Sequence, residues 1–443
     1  MSASYEFRDE DVIAPEVYGR NGHPHRAFEW LRRNDPLRFV EPKGFRPFWA
    51  VTKHADITEI ERDPVTFASE PRPIIGPEVT NPELRAEILG EIFARLQDSP
   101  KLMQVLATSG QNGLIRSLVQ MDPPDHPKYR ALVQPWFKPA NLKRLEERLE
   151  VITRSILDDM MGDGSERELD FVQDVAVYHP LKMIVELLGV PREDEWRILK
   201  LTNELFAGDD PEMKRVGDDP LSLFETIKDL YTYFDRMTEE RRRQPTEDLA
   251  SYIANGRIDG EYLPFKELIS YYIIVATAGH ETTRTAMSGG LLALLRTPGE
   301  LDKLNARRHE LMKLAVEEMI RWSTPVTQFC RTASCDYELR GKTIRRGDNL
   351  ALFYASANRD EDVFDEPATF KVDRQPNRHL AFGTGPHMCL GNLLARMEIR
   401  IFYDQFLARL RHIELADEPR FLRASFVHGV KHLPIRFRLS PAD

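Results

Sequence analysis

The stretch FGTGPHMCLG, from Phe382 to Gly391, decides how this chain is read. It sets one cysteine, Cys389, after a loop punctuated by Gly383 and Gly385 and just before NLLARMEIRIFYDQFLARL, whose apolar residues recur at helical spacing. Glycine opens backbone conformations closed to other residues, so amide N–H groups can converge on the sulfur. The helix that follows adds the positive end of its dipole. A thiol in that setting is predicted to titrate low and stand as a thiolate near neutral pH. An anionic sulfur is a strong metal ligand, and on haem iron it pushes electron density onto the metal. The opposing reading is a buried, inert cysteine beside a helix, the common fate of a lone Cys. The whole ten-residue loop favours the ligand.

Composition bounds the rest. The chain has 443 residues, 42% of them hydrophobic, and a net charge of −10 with both signs interleaved. No basic face suited to nucleic acid emerges. No repeat, low-complexity tract or Gly/Ser-rich linker divides the sequence, so one domain over 1–443 is expected. The cysteines, Cys330, Cys335 and Cys389, are odd in number and lack metal-type pair spacing. The N-terminus is charged, without the apolar core of a signal peptide. The apolar runs Tyr271 to Ala278 and Leu291 to Leu295 fall far short of the roughly 18 residues that span a bilayer. A reduced cytoplasmic protein without membrane insertion is the expectation.

Helical periodicity covers Leu142 to Met161, Val172 to Leu188, Trp196 to Phe206, Leu221 to Met237, Phe265 to Leu295, Leu301 to Trp322 and Leu393 to Leu410. Strand-like alternation is confined to Pro47 to Thr52, Asp336 to Leu339, Leu350 to Tyr354 and His432 to Leu439. The fold class is therefore mainly α, a large helical body with small β-sheets. From Ser69 to Met121 the sequence is irregular, with one helical piece at Pro82 to Leu96. A segment of that length in a compact protein is usually a lid or binding loop.

Two further stretches carry chemistry. Ala278, Gly279, His280, Glu281, Thr282 and Thr283 interrupt the apolar run of the longest predicted helix, where Gly and β-branched Thr cost stability. A mid-helix threonine can bond back to the carbonyl four residues earlier and bend the helix. Glu318 and Arg321 are three apart and so share one helical face. Alone, each of these has a bland reading, as a polar patch at a bend and as a solvated ion pair.

Together with Phe382, Gly385, His387, Cys389 and Gly391, these stretches resemble the cytochrome P-450 family, the soluble bacterial type, over nearly the whole chain. The branch that hydroxylates terpenoids, sterol side chains and alkyl chains looks nearest. The resemblance implies the P-450 fold and heme b (iron protoporphyrin IX) with Cys389 as metal ligand. Around that cofactor it implies Phe382, Gly383, His387 and Gly391 in the cysteine loop, Ala278 and Gly279 at a dioxygen groove, and His126, Arg130, Arg331 and His387 near the two propionates. Glu281 and Thr282 become an acid–alcohol pair that relays protons. Glu318, Arg321 and Arg374 become a structural network. Ile274, Val275, Ala278, Pro325, Val326, Phe426 and Val427 are expected to wall a dry apolar pocket.

The implied activity is monooxygenation: one atom of dioxygen enters a C–H bond of a small hydrophobic substrate, terpenoid-like or an alicyclic or aromatic hydrocarbon. Steroids or long alkyl chains are the alternative. No flavin or iron–sulfur motif lies in the chain, so the implied electron source is an external ferredoxin with its NAD(P)H-dependent reductase. Lys128, Lys138, Arg396 and Arg400 are expected to face it, against their bland reading as solvated helix residues. A monomer is expected. A non-catalytic haem sensor needs no proton relay, and a peroxide-driven enzyme of this family typically lacks the acid–alcohol pair.

Overall fold

The computed structural model describes residues 5–78, 81–109, 113–206, 210–215 and 221–441. The predicted helices at Trp196 to Phe206 and Leu393 to Leu410 are present within a residue, as Glu195–Phe206 and Asn392–Arg409, whereas Pro139–Met161 starts three residues before the predicted Leu142 and Ser222–Arg243 runs six residues past the predicted Met237. Phe265–Arg296 runs unbroken through the polar AGHETT stretch. Two predictions are corrected. Leu301 to Trp322 forms two helices, Glu300–Ala306 and Arg308–Ser323, because Arg307 leaves helical backbone geometry (φ −123°). Val172 to Leu188 opens as a π-turn at Val172–Ala176 before the helix Tyr178–Leu188, and Asp170 accepts from the Val172 and Gln173 N–H groups at its start (3.0 and 3.4 Å).

The main sheet has five strands in the order Leu37–Val40, Phe48–Val51, Asn349–Phe353, Gln328–Ala333, Phe67–Ala68. Asn349–Phe353 runs parallel to Phe48–Val51, pairing Leu350 with Trp49, and antiparallel to Gln328–Ala333, pairing Ala351 with Cys330. Gln328–Ala333 escapes the alternation pattern because its buried positions include Gln328 and Arg331. The predicted strand His432 to Leu439 is divided at Leu433. Val430–His432 pairs with Arg420–Phe421, whereas Pro434–Leu439 lies between Leu410–Leu415 and Arg167–Asp170.

The Phe265–Arg296 helix passes through the middle of the body. Leu268, Ile269, Ile273 and Ala276 join one apolar cluster with Leu102, Val105 and Met121 of the Ser69 to Met121 segment, and Met287, Leu291 and Leu294 join another with the Asn392–Arg409 helix. The Tyr403 hydroxyl donates to the Met287 carbonyl (2.6 Å) and fixes those two helices together. The Ser69 to Met121 segment holds two helices rather than the expected one, Pro82–Arg95 and Pro100–Ser109. The first is started by Asn81, which accepts from Glu83 and Leu84 N–H, and by Pro82 in its first turn. Residues 79–80 and 110–112 of this segment lie outside the described residues.

Candidate functional site

The cysteine loop is shaped by close approach. Gly383 and Gly385 take φ +64° and +67°, values strained for residues with a Cβ. A Cβ at Gly385 would stand 2.3 Å from the Glu61 carbonyl oxygen. Cys389 N–H donates back to the Phe382 carbonyl (2.8 Å), and Asn392 Nδ2 donates to the Cys389 carbonyl (2.7 Å). Gly391 has open space where a Cβ would go, so it is not sterically required.

Cys389 itself is half-buried. Burial pushes its thiol up, against the Gly391 N–H and the charges of Arg130 and Arg396. Desolvation of the anion opposes the dipole and the neighbouring donors, and a coordinating metal ion deprotonates such a thiol outright.

The four donors expected near the propionates do converge. The His126 and His387 rings are 4.1 Å apart. Arg130 Nη2 donates to the Met388 carbonyl beside Cys389 (2.8 Å). Arg331 donates to the Cys330 carbonyl (2.9 Å) and to Glu61 (3.4 Å). Burial, then the charge of Arg130, lowers His126 to about 4. Burial, then Arg331, His126 and Arg130, lowers His387 to about 2. Asp122 lies 4.0 Å from His387 but its oxygens already accept from Ser69 and Glu70 N–H. His126 Nε2 is buried without a partner. Two arginines beside two neutral histidines, one of them with an unpartnered ring nitrogen, suit a ligand bearing carboxylates.

No group of three His, Cys, Asp or Glu among the described residues could hold a metal ion. A metal here would arrive in a cofactor that brings its other donors, with one protein sulfur to complete the set. Haem, with its two propionates, fits these residues.

The Phe265–Arg296 helix carries five of the expected site residues on one face. Ile274, Val275, Gly279 and Thr282 are half-buried and Ala278 exposed, whereas Ile273, Ala276, Thr277, His280, Glu281 and Thr283 are buried. The accessible positions recur as i, i+1, i+4, i+5 and i+8, one face of a helix. Thr282 Oγ1 donates to the Ala278 carbonyl (2.7 Å), the back-bond that its type and position predict. Gly279 has a packing reason as well: a Cβ there would meet Ile184 Cδ1 at 2.8 Å. Glu281 departs from its expected place. It is buried off that face and paired with Arg284.

The remaining wall residues come together across two segments. Val326 bridges to Val427, and His428 N–H donates to the Pro325 carbonyl (2.9 Å). The Phe426 ring lies 5.3 Å from Phe329 and 6.4 Å from Phe206. Sequence reading missed Phe206 and Phe329, since nothing in their local pattern says that they meet Phe426. It also missed Glu61, which accepts from Thr384 N–H (2.8 Å) and the Tyr354 hydroxyl (2.6 Å) and so anchors the loop before Cys389.

The structural network forms as expected. Arg321 donates twice to Glu318 (2.7 Å each) and Arg374 Nε donates to the same carboxylate (3.0 and 3.1 Å), all three deeply buried. Asn377 and Lys371 N–H add two more donors to Glu318. Of the expected basic surface, Lys128 is paired with Asp259, Arg396 with Glu317 (2.6 Å) and Arg400 with Glu146 (2.5 Å). Met388 and Leu393, flanking Cys389, are instead exposed apolar side chains.

The family model described as cytochrome P450 matches residues 79–437. "Cytochrome P450-terp" from Pseudomonas sp is 39% identical, with 96% of each chain covered. Linalool 8-monooxygenase of Pseudomonas putida is 30% identical over 96% of this chain and 98% of its own. The crystal structure of CYP108D1 from Novosphingobium aromaticivorans superposes with a TM-score of 0.83 at 38% identity, covering 98% of both chains. No helix among the described residues is long and apolar enough to cross a membrane. From its loop, its fold and its relatives, this chain belongs to the cytochrome P450 family of monooxygenases, whose cofactor is heme b bound through a cysteine thiolate.

Proposed function

We propose that this enzyme hydroxylates a compact terpenoid-like or aromatic hydrocarbon, with Cys389 as the iron ligand and a ferredoxin as electron donor. The observation that carries the site assignment is the convergence of His126, Arg130, Arg331 and His387 beside Cys389, with His126 Nε2 left without a partner. Bound haem supplies the dioxygen activation and oxygen transfer of the family. The chain's own residues do the rest. Arg130 and Arg331 neutralise the propionates, and the two neutral histidines donate hydrogen bonds to them. Ile274, Val275, Pro325, Val326, Phe426 and Val427 exclude water and hold the substrate. Thr282 and Glu281 move protons to the groove at Ala278, a role that Glu281 meets only by turning away from Arg284.

The terpenoid preference draws support from the linalool-oxidising relative and from the aromatic group Phe206, Phe329 and Phe426, which favours short, rigid hydrocarbons over long flexible ones. For the donor, a ferredoxin would meet the apolar surface of Met388 and Leu393 rather than a free basic patch.

Two measurements test this. Cys389→Ala should abolish the carbon-monoxide difference band of thiolate-bound ferrous haem, and its survival would remove Cys389 from the role. Titration of the holoenzyme with terpenes, aromatics, steroids and fatty acids should shift the Soret band at micromolar concentration for the first two classes. Tighter binding of a steroid or fatty acid would overturn the substrate proposal.

A further inference from the structure

The Glu61 side chain carries a charge that its contacts with the cysteine loop do not explain. Glu61, near the end of the helix His54–Arg62, is 3% exposed. Its Oε2 accepts from the Thr384 N–H (2.8 Å), and its Oε1 accepts from the Tyr354 hydroxyl (2.6 Å) and from Arg331 Nη2 (3.4 Å). A neutral amide could accept from the same N–H and hydroxyl without the cost of desolvating an anion. Burial pushes the Glu61 carboxyl up, and Arg331, Tyr354 and Thr384 oppose that by favouring the ionised form.

Arg331 faces two ways. It is 4% exposed, and of the five N–H donors of a guanidinium it places one on the Cys330 carbonyl (2.9 Å) and one on Glu61. Donors remain for a carboxylate beside His126 and His387, whose rings both feel the Arg331 charge. The other titratable groups packed around Glu61 and Arg331 are neutral. Burial and then Glu61 push the Tyr354 phenol far up, burial pushes the Cys330 thiol up to about 12, and His387 is lowered to about 2. On the Glu61 helix itself, Arg62 is exposed and Glu59 accepts from the Tyr337 hydroxyl (2.7 Å). Arg331 is therefore the cation that answers Glu61.

We propose that Glu61 is a positioning residue for the charge of the haem site: it shares Arg331 with a propionate and keeps a buried negative charge beside the cofactor, which disfavours reduction of the iron. The proposal rests on the placement of Arg331 at a propionate. A guanidinium divided between two carboxylates fully neutralises neither, and in a buried site the residual charge is poorly screened. Burial and hydrogen bonding around a haem are levers by which a protein sets its reduction potential.

The test is a redox titration of the haem-loaded enzyme at neutral pH without substrate, followed through the Soret band. Glu61→Gln keeps an acceptor for Thr384 and Tyr354 but removes the charge. Its midpoint should rise until the ferrous form is favoured about tenfold more than in wild type, about 59 mV for a one-electron couple. The carbon-monoxide difference band should remain that of thiolate-bound haem. A Glu61 that only anchors the loop, or only balances Arg331 during folding, would leave the midpoint in place.

Tyr354→Phe carries the test if Glu61→Gln does not hold haem. Without the phenol the ionised carboxylate loses a donor and takes up its proton at higher pH. The Tyr354→Phe midpoint should therefore exceed that of wild type in mildly acidic buffer and meet it in alkaline buffer. An unchanged midpoint in Glu61→Gln, or a Tyr354→Phe midpoint equal to wild type in both buffers, overturns the proposal. Failure of the underlying reading looks different. With Arg331 at a propionate, Arg331→Gln should lose haem to a competing apoprotein about tenfold faster than wild type, and an unchanged rate would remove Arg331 from that place whatever the midpoints show.

Discussion

Thr282 is the residue at which local geometry and reaction meet. Its hydroxyl donates to the Ala278 carbonyl, so its lone pairs remain directed into the groove and can accept from a water that carries protons. Thr282→Ala removes that acceptor while leaving the walls untouched. Substrate affinity should stay within twofold, product turnover should fall by about a hundredfold at the low end of what a positioned proton donor contributes, and electrons should appear as hydrogen peroxide. Product formed per NAD(P)H consumed is the measurement, and unchanged coupling would make the hydroxyl structural only. Gly385 makes the complementary case for the cysteine loop. With φ +67° and the Glu61 carbonyl 2.3 Å from its missing Cβ, Gly385→Ala should lose haem even though it adds a single methyl group. Haem content per folded protein, read from the Soret absorbance, checks this.

At the scale of elements, Glu318 on the Arg308–Ser323 helix gathers the 365–377 stretch that leads to the cysteine loop. Removing the carboxylate strands two buried guanidiniums, so Glu318→Ala should cost about 3–5 kcal/mol of stability, measured by urea unfolding. Its sequence neighbour Glu317 behaves differently with pH. Burial would raise its carboxyl, but hydrogen bonds from His379 and Arg396 win and hold it at about 2. A depressed carboxylate stabilises fully above its unfolded pKa and loses that stabilisation as pH falls toward the folded value. Glu317→Gln should therefore cost roughly 1–2 kcal/mol at pH 7, discounted for partial exposure, and much less at pH 3. A gap that widens on acidification would contradict the pairing. These elements also show what a sequence discloses. The ExxR helix and the cysteine loop are local strings, and their consequences can be argued residue by residue. Arg284 as the partner of Glu281, and Glu61 beneath the loop, are contacts of ordinary-looking charged residues whose burial no local pattern announces. Gln328–Ala333 was hidden for the related reason that a central strand carried polar side chains inward.

Across the whole molecule, the Ser69 to Met121 segment is tied to the body at several points, Lys101 to Asp235 and the Tyr231 hydroxyl to the Leu114 carbonyl among them, and Arg116 joins the most elements at once. Arg116 donates to Glu70 (2.9 Å), Asp125 (2.8 Å) and Glu267 (3.4 Å), and its own N–H donates to Ser270 (2.9 Å). That links both ends of the segment to the helix bearing His126 and to the central helix. Tight ligand should protect amides around Pro71 to Gly113 from exchange while Glu318 to Trp322 barely changes, and Arg116→Ala should speed exchange in the lid without ligand. Protection confined to Leu142 to Met161 would show that this segment is not the lid. The main sheet has a further consequence, one of time. Trp49 finds its parallel partner at Leu350, so during synthesis Phe48–Val51 has only its hairpin neighbour until most of the chain has left the ribosome. Pairing across such separations is slow and leaves a strand edge open to other chains. The early part of the nascent protein is thus its most aggregation-prone phase, and slowed translation ahead of codon 349 should lower the yield of native enzyme more than the same pause placed after codon 353.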